Sequence, residues 1–263
     1  MATQAFAELV RIIGTLRSPG GCPWDKEQTH ASLKPYLLEE AYEVLESIDG
    51  KDDARLMEEL GDLLLQIVFH ARIAEEGGRF TIDDIVETLN EKLVRRHPHV
   101  FGTADIQTSE EQLAHWEHLK RQEGKRSALD GVPRQAPALL KAYRVQQKAA
   151  AVGFDWEKTG QVWEKVKEEL HEFGETLDRG DPARMEDEFG DLLFALVNLA
   201  RFLKFNPEEA ARRSVDKFIR RFRRLERVFE ERGRTMQGTP LQELDAVWND
   251  IKHADNGATE AAP

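Results

Sequence analysis

The chain has 263 residues, a third of them charged, with 49 acidic against 37 basic side chains and a net charge of −12. That excess argues against a nucleic acid polymer as partner, though a small anionic substrate remains admissible where a cation and local Lys or Arg offset the field. The single cysteine, Cys22, rules out an intrachain disulfide and fits a cytoplasmic setting, and no apolar run approaches the length of a membrane span.

Phe6, Leu9, Val10, Ile13 and Leu16 follow a helical period, and Glu8 and Arg11 interrupt it too early for a signal peptide. Pro19-Gly20-Gly21 ends this helix, and Trp24 in the following loop is expected to plug the domain. A helix starting at Pro35 runs to about Asp49. The next spans about Asp52 to Glu76, with Leu60, Leu64, Ile67, Val68 and Ala71 as its core stripe. Thr81 and Asp84 form a capping box for a third helix, closed by Pro98, and Ser109 with Gln112 form another. From Arg121 to Pro137 the composition shifts to Gly, Pro, Arg and Lys, as in a linker.

Beyond it, a short helix covers Leu139 to Ala151, and an acidic helix ends near Gly180. Asp181-Pro182, Asn206-Pro207 and Thr239-Pro240 each read as a cap followed by a first-turn proline. No strand signal competes. The chain reads as all-α, with two similar helical-bundle domains at 1–124 and 138–255, a linker at 125–137 and a disordered tail at 256–263. Helices this amphipathic and this few per half point to a homodimer that completes each bundle.

Two blocks of acids organise the chain. Glu168, Glu169 and Glu172 share one helical face, and Glu188 and Asp191 share a face of the next helix. An offset of 129 carries Glu39, Glu40, Glu43, Glu59 and Asp62 onto all five, together with the flanking Gly-Asp-Leu-Leu. In so charged a chain, a lone Glu-Glu-x-x-Glu is ordinarily a solvated face. An exact second copy is not what a solvated face requires. Carboxylates gathered from two helices repel unless a cation joins them, and oxygen-only donors suit Mg²⁺ first and Mn²⁺ second. A di-iron carboxylate bundle wants Glu-x-x-His, whereas Asp stands three residues after both Glu59 and Glu188.

The duplication extends to basic residues. Lys92-Leu-Val-Arg95-Arg96 matches Lys217-Phe-Ile-Arg220-Arg221, and Trp116 with Lys120 matches Trp248 with Lys252. Lys217 and Arg221 share a face suited to phosphate oxygens, and a Trp and a Lys four apart suit a base and a phosphate. His97 and His99 have no histidine counterparts in the second half and read as structural, and Cys22 receives no role.

Together, Gly21–Thr29, the paired acid sets, Arg95–Phe101, Ser127–Pro133 and Val152–Trp156 resemble the MazG nucleoside triphosphate pyrophosphohydrolases across almost the whole chain. The resemblance implies a homodimeric all-α tandem that uses Mg²⁺ to hydrolyse nucleoside triphosphates to the monophosphate and pyrophosphate, chiefly in the C-terminal domain. It implies that Glu169, Glu172, Glu188 and Asp191 hold the metal. Lys217 and Arg221 would bind phosphates, Trp248 would contact the base, and Lys165 and Lys167 would touch the nucleotide. Arg220 and Lys252 complete the substrate-binding set, and Glu40, Glu43, Glu59 and Asp62 form a second metal set. The expected chemistry is attack by water on the α-phosphorus, with Glu168 orienting the water. The alternative is a regulatory module that binds Mg-NTP without turnover.

Overall fold

The computed structural model describes residues 2–104, 106, 108, 111, 112, 115 and 127–260. Eleven helices and no strands occur among them. The chain divides into two compact units, Met1–Gln107 and Thr108–Pro263. The division falls ahead of residue 124, where the sequence ends the first domain, and most of the intervening residues lie outside the described ones.

The first unit holds α1 (Ala2–Leu16), α2 (Pro23–Glu27), α3 (Lys34–Gly50), α4 (Asp53–Glu76), α5 (Ile82–Arg96) and α6 (Pro98–Phe101). Local chemistry sets the ends. Pro35 stands in the first turn of α3, and Asp52 caps α4 by accepting from the Arg55 amide at 3.1 Å. Thr81 and Asp84 exchange the two bonds of a capping box, as expected. α3 packs on α4, and α1 and α5 also dock on α4. Their core is Ile13, Leu33, Val68 and Phe69, ringed by side chains such as Leu9, Leu65 and Ile73.

Two expectations fail in this unit. Trp24 does not plug the core. It is 50 % exposed and meets Tyr36 edge-on, its ring 5.8 Å away, while Arg17 ties the loop down through the carbonyls of Asp25 and Gln28. On α4, Val68 and Ala71 are core, but Leu60, Leu64 and Ile67 are exposed. A helix flanked by neighbours buries only the arc they cover, so its apolar stripe splits into an inner and an outer face.

The second unit holds α7 (Ala138–Ala150), α8 (Thr159–Arg179), α9 (Pro182–Phe202), α10 (Pro207–Glu231) and α11 (Leu241–Glu260). α8 ends on Gly180, whose φ of 69° is the left-handed conformation that favours glycine. Asp181 and Asn206 cap α9 and α10 as expected. Thr239 does not cap α11; its hydroxyl donates back to the Thr235 carbonyl. Ser109 of the second expected capping box lies outside the described residues. One residue earlier, Thr108 and Glu111 exchange reciprocal bonds of 3.2 and 3.1 Å. α11 continues to Glu260, through most of the expected disordered tail, because no proline lies between Pro240 and Pro263 and a formed helix gains a bond with each added residue.

α8 and α9 pack on one another, α7 lies on α9 and α10, and α11 pairs with α10. Val166, Leu192 and Ala195 form one core cluster, and Leu225, Phe229, Val247 and Ile251 form another. No helix among the described residues is long and apolar enough to cross a membrane.

Candidate metal centre and adjoining cavity

The hairpin α8–α9 carries the second set of acids. Carboxylate oxygens of Glu169, Glu172 and Glu188 all lie within 4.8 Å of one another. Glu169 is 6 % exposed, Glu188 is half-buried and Glu172 faces solvent, so the cluster is anchored inside and open at one side. Lys165, one turn ahead of Glu169, places Nζ 2.8 Å from Glu168 Oε1 and 2.7 Å from Glu169 Oε1. The Glu168 and Glu169 carboxylates hold its ammonium well above the ordinary lysine range. Arg184 Nη2 stands 4.0 Å from Glu188 Oε1. Asp191 is outside the close triad and lines an adjoining cavity with Lys165 and Glu169.

The first unit repeats the arrangement. Glu40, Glu43 and Glu59 also approach within 4.8 Å of one another. Arg55 Nε is 3.1 Å from Glu59, in register with Arg184 beside Glu188. Burial and the charges of Asp62, Glu43 and Glu59 push the Glu40 carboxyl up, and the Glu59 charge pushes Glu43 up. Tyr36 occupies the register position of Lys165, so this cluster lacks that cation. Hard oxygen donors gathered from two helices fit a hard divalent cation.

The cavity beside the second cluster has a volume of about 650 Å³. Its walls include Phe154 and Trp156 from the loop after α7, Gln146 from α7, and Asn198 and Arg201 from α9. Sequence reasoning noticed the Val152–Trp156 loop without giving it a task and missed Gln146, Asn198 and Arg201. Asn198 was legible in principle, because seven residues from Asp191 is two helical turns along one face.

The expected substrate residues on α10 and α11 are not brought to this cavity. Lys217, Arg220 and Lys252 are exposed. Arg221 Nε bonds Asp255 of α11 at 2.9 Å, and Arg224 meets the same carboxylate. Trp248 packs against the cluster of Leu225, Phe229, Val247 and Ile251, with the Phe218 ring 5.1 Å away. None of these residues lines the cavity. Trp116 and Lys120 lie outside the described residues. His97 bonds the Leu93 carbonyl at 2.7 Å, and neither carboxylate cluster described includes a histidine.

A sequence model of the MazG nucleotide pyrophosphohydrolase domain matches residues 28–101 and 159–225, the stretches that carry the two acid clusters. The chain belongs to the MazG family. Among its MazG relatives, the nucleoside triphosphate pyrophosphohydrolase/pyrophosphatase MazG of Thermotoga maritima is 50% identical, over 95% of this chain and 96% of that protein. The nucleoside triphosphate pyrophosphohydrolase of Escherichia coli K12 is 47% identical over 94% of this chain and 97% of its own length. A Bacillus subtilis protein of uncharacterised function, YabN, is 49% identical over 95% of this chain and 52% of its own. The two-segment match agrees with the internal offset of 129, which places one acid cluster in each MazG segment.

Proposed function

We propose that this MazG protein hydrolyses nucleoside triphosphates to the monophosphate and pyrophosphate, with water attacking the α-phosphorus and the second unit as the main site. The observation that carries this reading is the Glu169, Glu172 and Glu188 cluster, opening beside a cavity large enough for a nucleoside. Glu169, Glu172 and Glu188, with Asp191 one turn further along α9, are the residues to hold Mg²⁺. When bound, Mg²⁺ supplies positive charge against the phosphate oxygens.

The chain's own residues do the rest. Lys165, beside the cluster and on the cavity wall, offers its ammonium to a phosphate oxygen. Glu168 is outside the triad and carries an exposed carboxylate, which suits it to orient the attacking water.

We further propose a homodimer. The outer apolar faces are themselves duplicated: the offset of 129 pairs exposed Leu60 with Phe189, Leu64 with Leu193 and Ile67 with Leu196. Repeated exposed apolar faces are what an interface presents. Light scattering at micromolar concentration tests this, and a stable folded monomer refutes it.

The activity is tested by steady-state pyrophosphate release from NTPs and dNTPs with Mg²⁺. Release that disappears with Glu172→Gln supports the reading. Tight nucleotide binding with no release identifies a regulatory module instead.

A further inference from the structure

We propose that the cavity beside Glu169 and Asp191 is the nucleobase subsite, with Gln146 as its acceptor, Asn198 as its donor and Arg201 as the residue that positions Asn198. This deepens the hydrolase reading and rests on it.

The cavity has two chemically different ends. Lys165, Glu169 and Asp191 form a charged end next to the carboxylate cluster. Away from it, Val145, Ala149 and Phe194 make an apolar wall, and the largely exposed Phe154 and the less exposed Trp156 add aromatic faces. A flat aromatic group on a phosphorylated stem matches this division.

Two amides decide what kind of flat group. Gln146 is 7 % exposed, and its Nε2 donates to the Phe194 carbonyl at 2.8 Å. That bond fixes the amide and leaves Oε1 buried without a partner among the described residues. An orphaned buried acceptor is costly, and a ligand N–H relieves it. Asn198 is fixed in the opposite sense. Its Oδ1 accepts from Arg201 Nε at 3.0 Å and Nη2 at 2.8 Å. Guanidinium offers only donors, so Asn198 must turn its oxygen to Arg201, which leaves the Nδ2 hydrogens to serve the cavity. Arg201 is itself held by both carboxylate oxygens of Asp155 and stacks 4.7 Å from the Phe202 ring. One acceptor and one donor on the wall suit the polar edge of a nucleobase, which pairs N–H donors with carbonyl or ring-nitrogen acceptors.

The first unit lacks this device. The offset of 129 along the matching helix puts Phe69 where Asn198 stands. Phe69 is 4 % exposed, and the Arg17 guanidinium lies 5.3 Å over its ring, anchored to Glu76 at 2.8 Å. A packed ring replaces the donor, so base reading belongs to the second unit.

The test uses the full-length chain with Mg²⁺, the four common NTPs and base-free ribose 5-triphosphate, and measures pyrophosphate release. Gln146→Leu should raise KM for the NTPs about tenfold or more by removing the acceptor, while leaving ribose 5-triphosphate turnover unchanged. Asn198→Asp, nearly the same in shape, should reorder preference among the four bases. Arg201→Lys keeps the charge but loses the fork, and should reproduce the Asn198→Asp reordering through KM with kcat little changed. Circular dichroism reports whether each variant is folded. Quenching of Trp156 fluorescence by nucleoside monophosphates, absent in Trp156→Phe, reads base binding without turnover. A wild type that quenches but releases no pyrophosphate would sink the hydrolase reading and keep this subsite. Unchanged base preference and KM in folded Gln146→Leu and Asn198→Asp, or a preference that moves only with Trp248→Phe, overturns the subsite.

Discussion

Lys165 Nζ stands 2.7 Å from Glu169 Oε1, inside the carboxylate cluster, whereas the first unit has Tyr36 at the same place in its register. The ammonium competes with a metal for Glu169 and is also the cation nearest the cavity's charged end. Lys165→Met should therefore tighten Mg²⁺ binding severalfold, because the competing charge is gone. It should also lower kcat/KM for NTPs by about a hundredfold, as expected for the loss of one charge-stabilising donor. Calorimetric Mg²⁺ titration and the pyrophosphate assay read the two effects separately. Weaker Mg²⁺ binding in the variant would show that Lys165 organises the acids instead of competing for them.

The two units should differ in what their acids do. Glu43→Gln with Asp62→Asn should keep most pyrophosphate release, whereas Glu172→Gln with Asp191→Asn should abolish it. Helicity and thermal stability should hold or rise in both, because like-charge repulsion is relieved. The first unit also has the longer connection from acid to basic helix, 30 residues from Asp62 to Lys92 against 26 from Asp191 to Lys217. A looser link places phosphate-binding groups less accurately. A reversed pattern of losses would make the first unit the enzyme.

His30 and His70 stack with ring centroids 5.0 Å apart and Nδ1 atoms 2.7 Å apart, and Arg79 Nη2 reaches His30 Nε2 at 2.7 Å. Burial and then the neighbouring His30 hold His70 below the ordinary histidine range. Below about pH 6.5 the unfolded chain therefore takes up a proton that folded His70 resists, and stability falls as pH falls. Thermal melts of the first unit's transition from pH 8 to pH 5 should show this decline, and His70→Gln should flatten it. An unchanged slope in the variant would assign the decline to other groups.

Lys204 follows α9 with a φ of 62°, a left-handed conformation that a side chain disfavours. Its amide bonds the Arg201 carbonyl at 3.1 Å, and that of Phe205 bonds Ala200 at 3.1 Å, so the turn itself is satisfied. Lys204→Gly should relieve the strain and stabilise the second unit by about 1 kcal/mol, roughly 2–4 °C in Tm, without altering turnover. A lower Tm would mean that glycine's gain in unfolded-chain freedom outweighs the relief.

The sequence by itself determined the helical class, the duplication and the acids. Each of these is periodic or local: Glu169 and Glu172 share a face because they are three residues apart, and Asp52, Thr81, Asp181 and Asn206 cap helices a few residues away. Competition between near-equal local choices was not legible. Thr239, expected to cap α11, spent its hydroxyl on Thr235. Tertiary structure alone decided which arc of α4 is core, since that depends on where α1, α3 and α5 dock. It alone joined Gln146 on α7 to the Phe194 carbonyl on α9, and it turned Arg221 toward Asp255 on α11. Those pairings span tens of residues and arise from helix packing, which sets positions that no local spacing encodes.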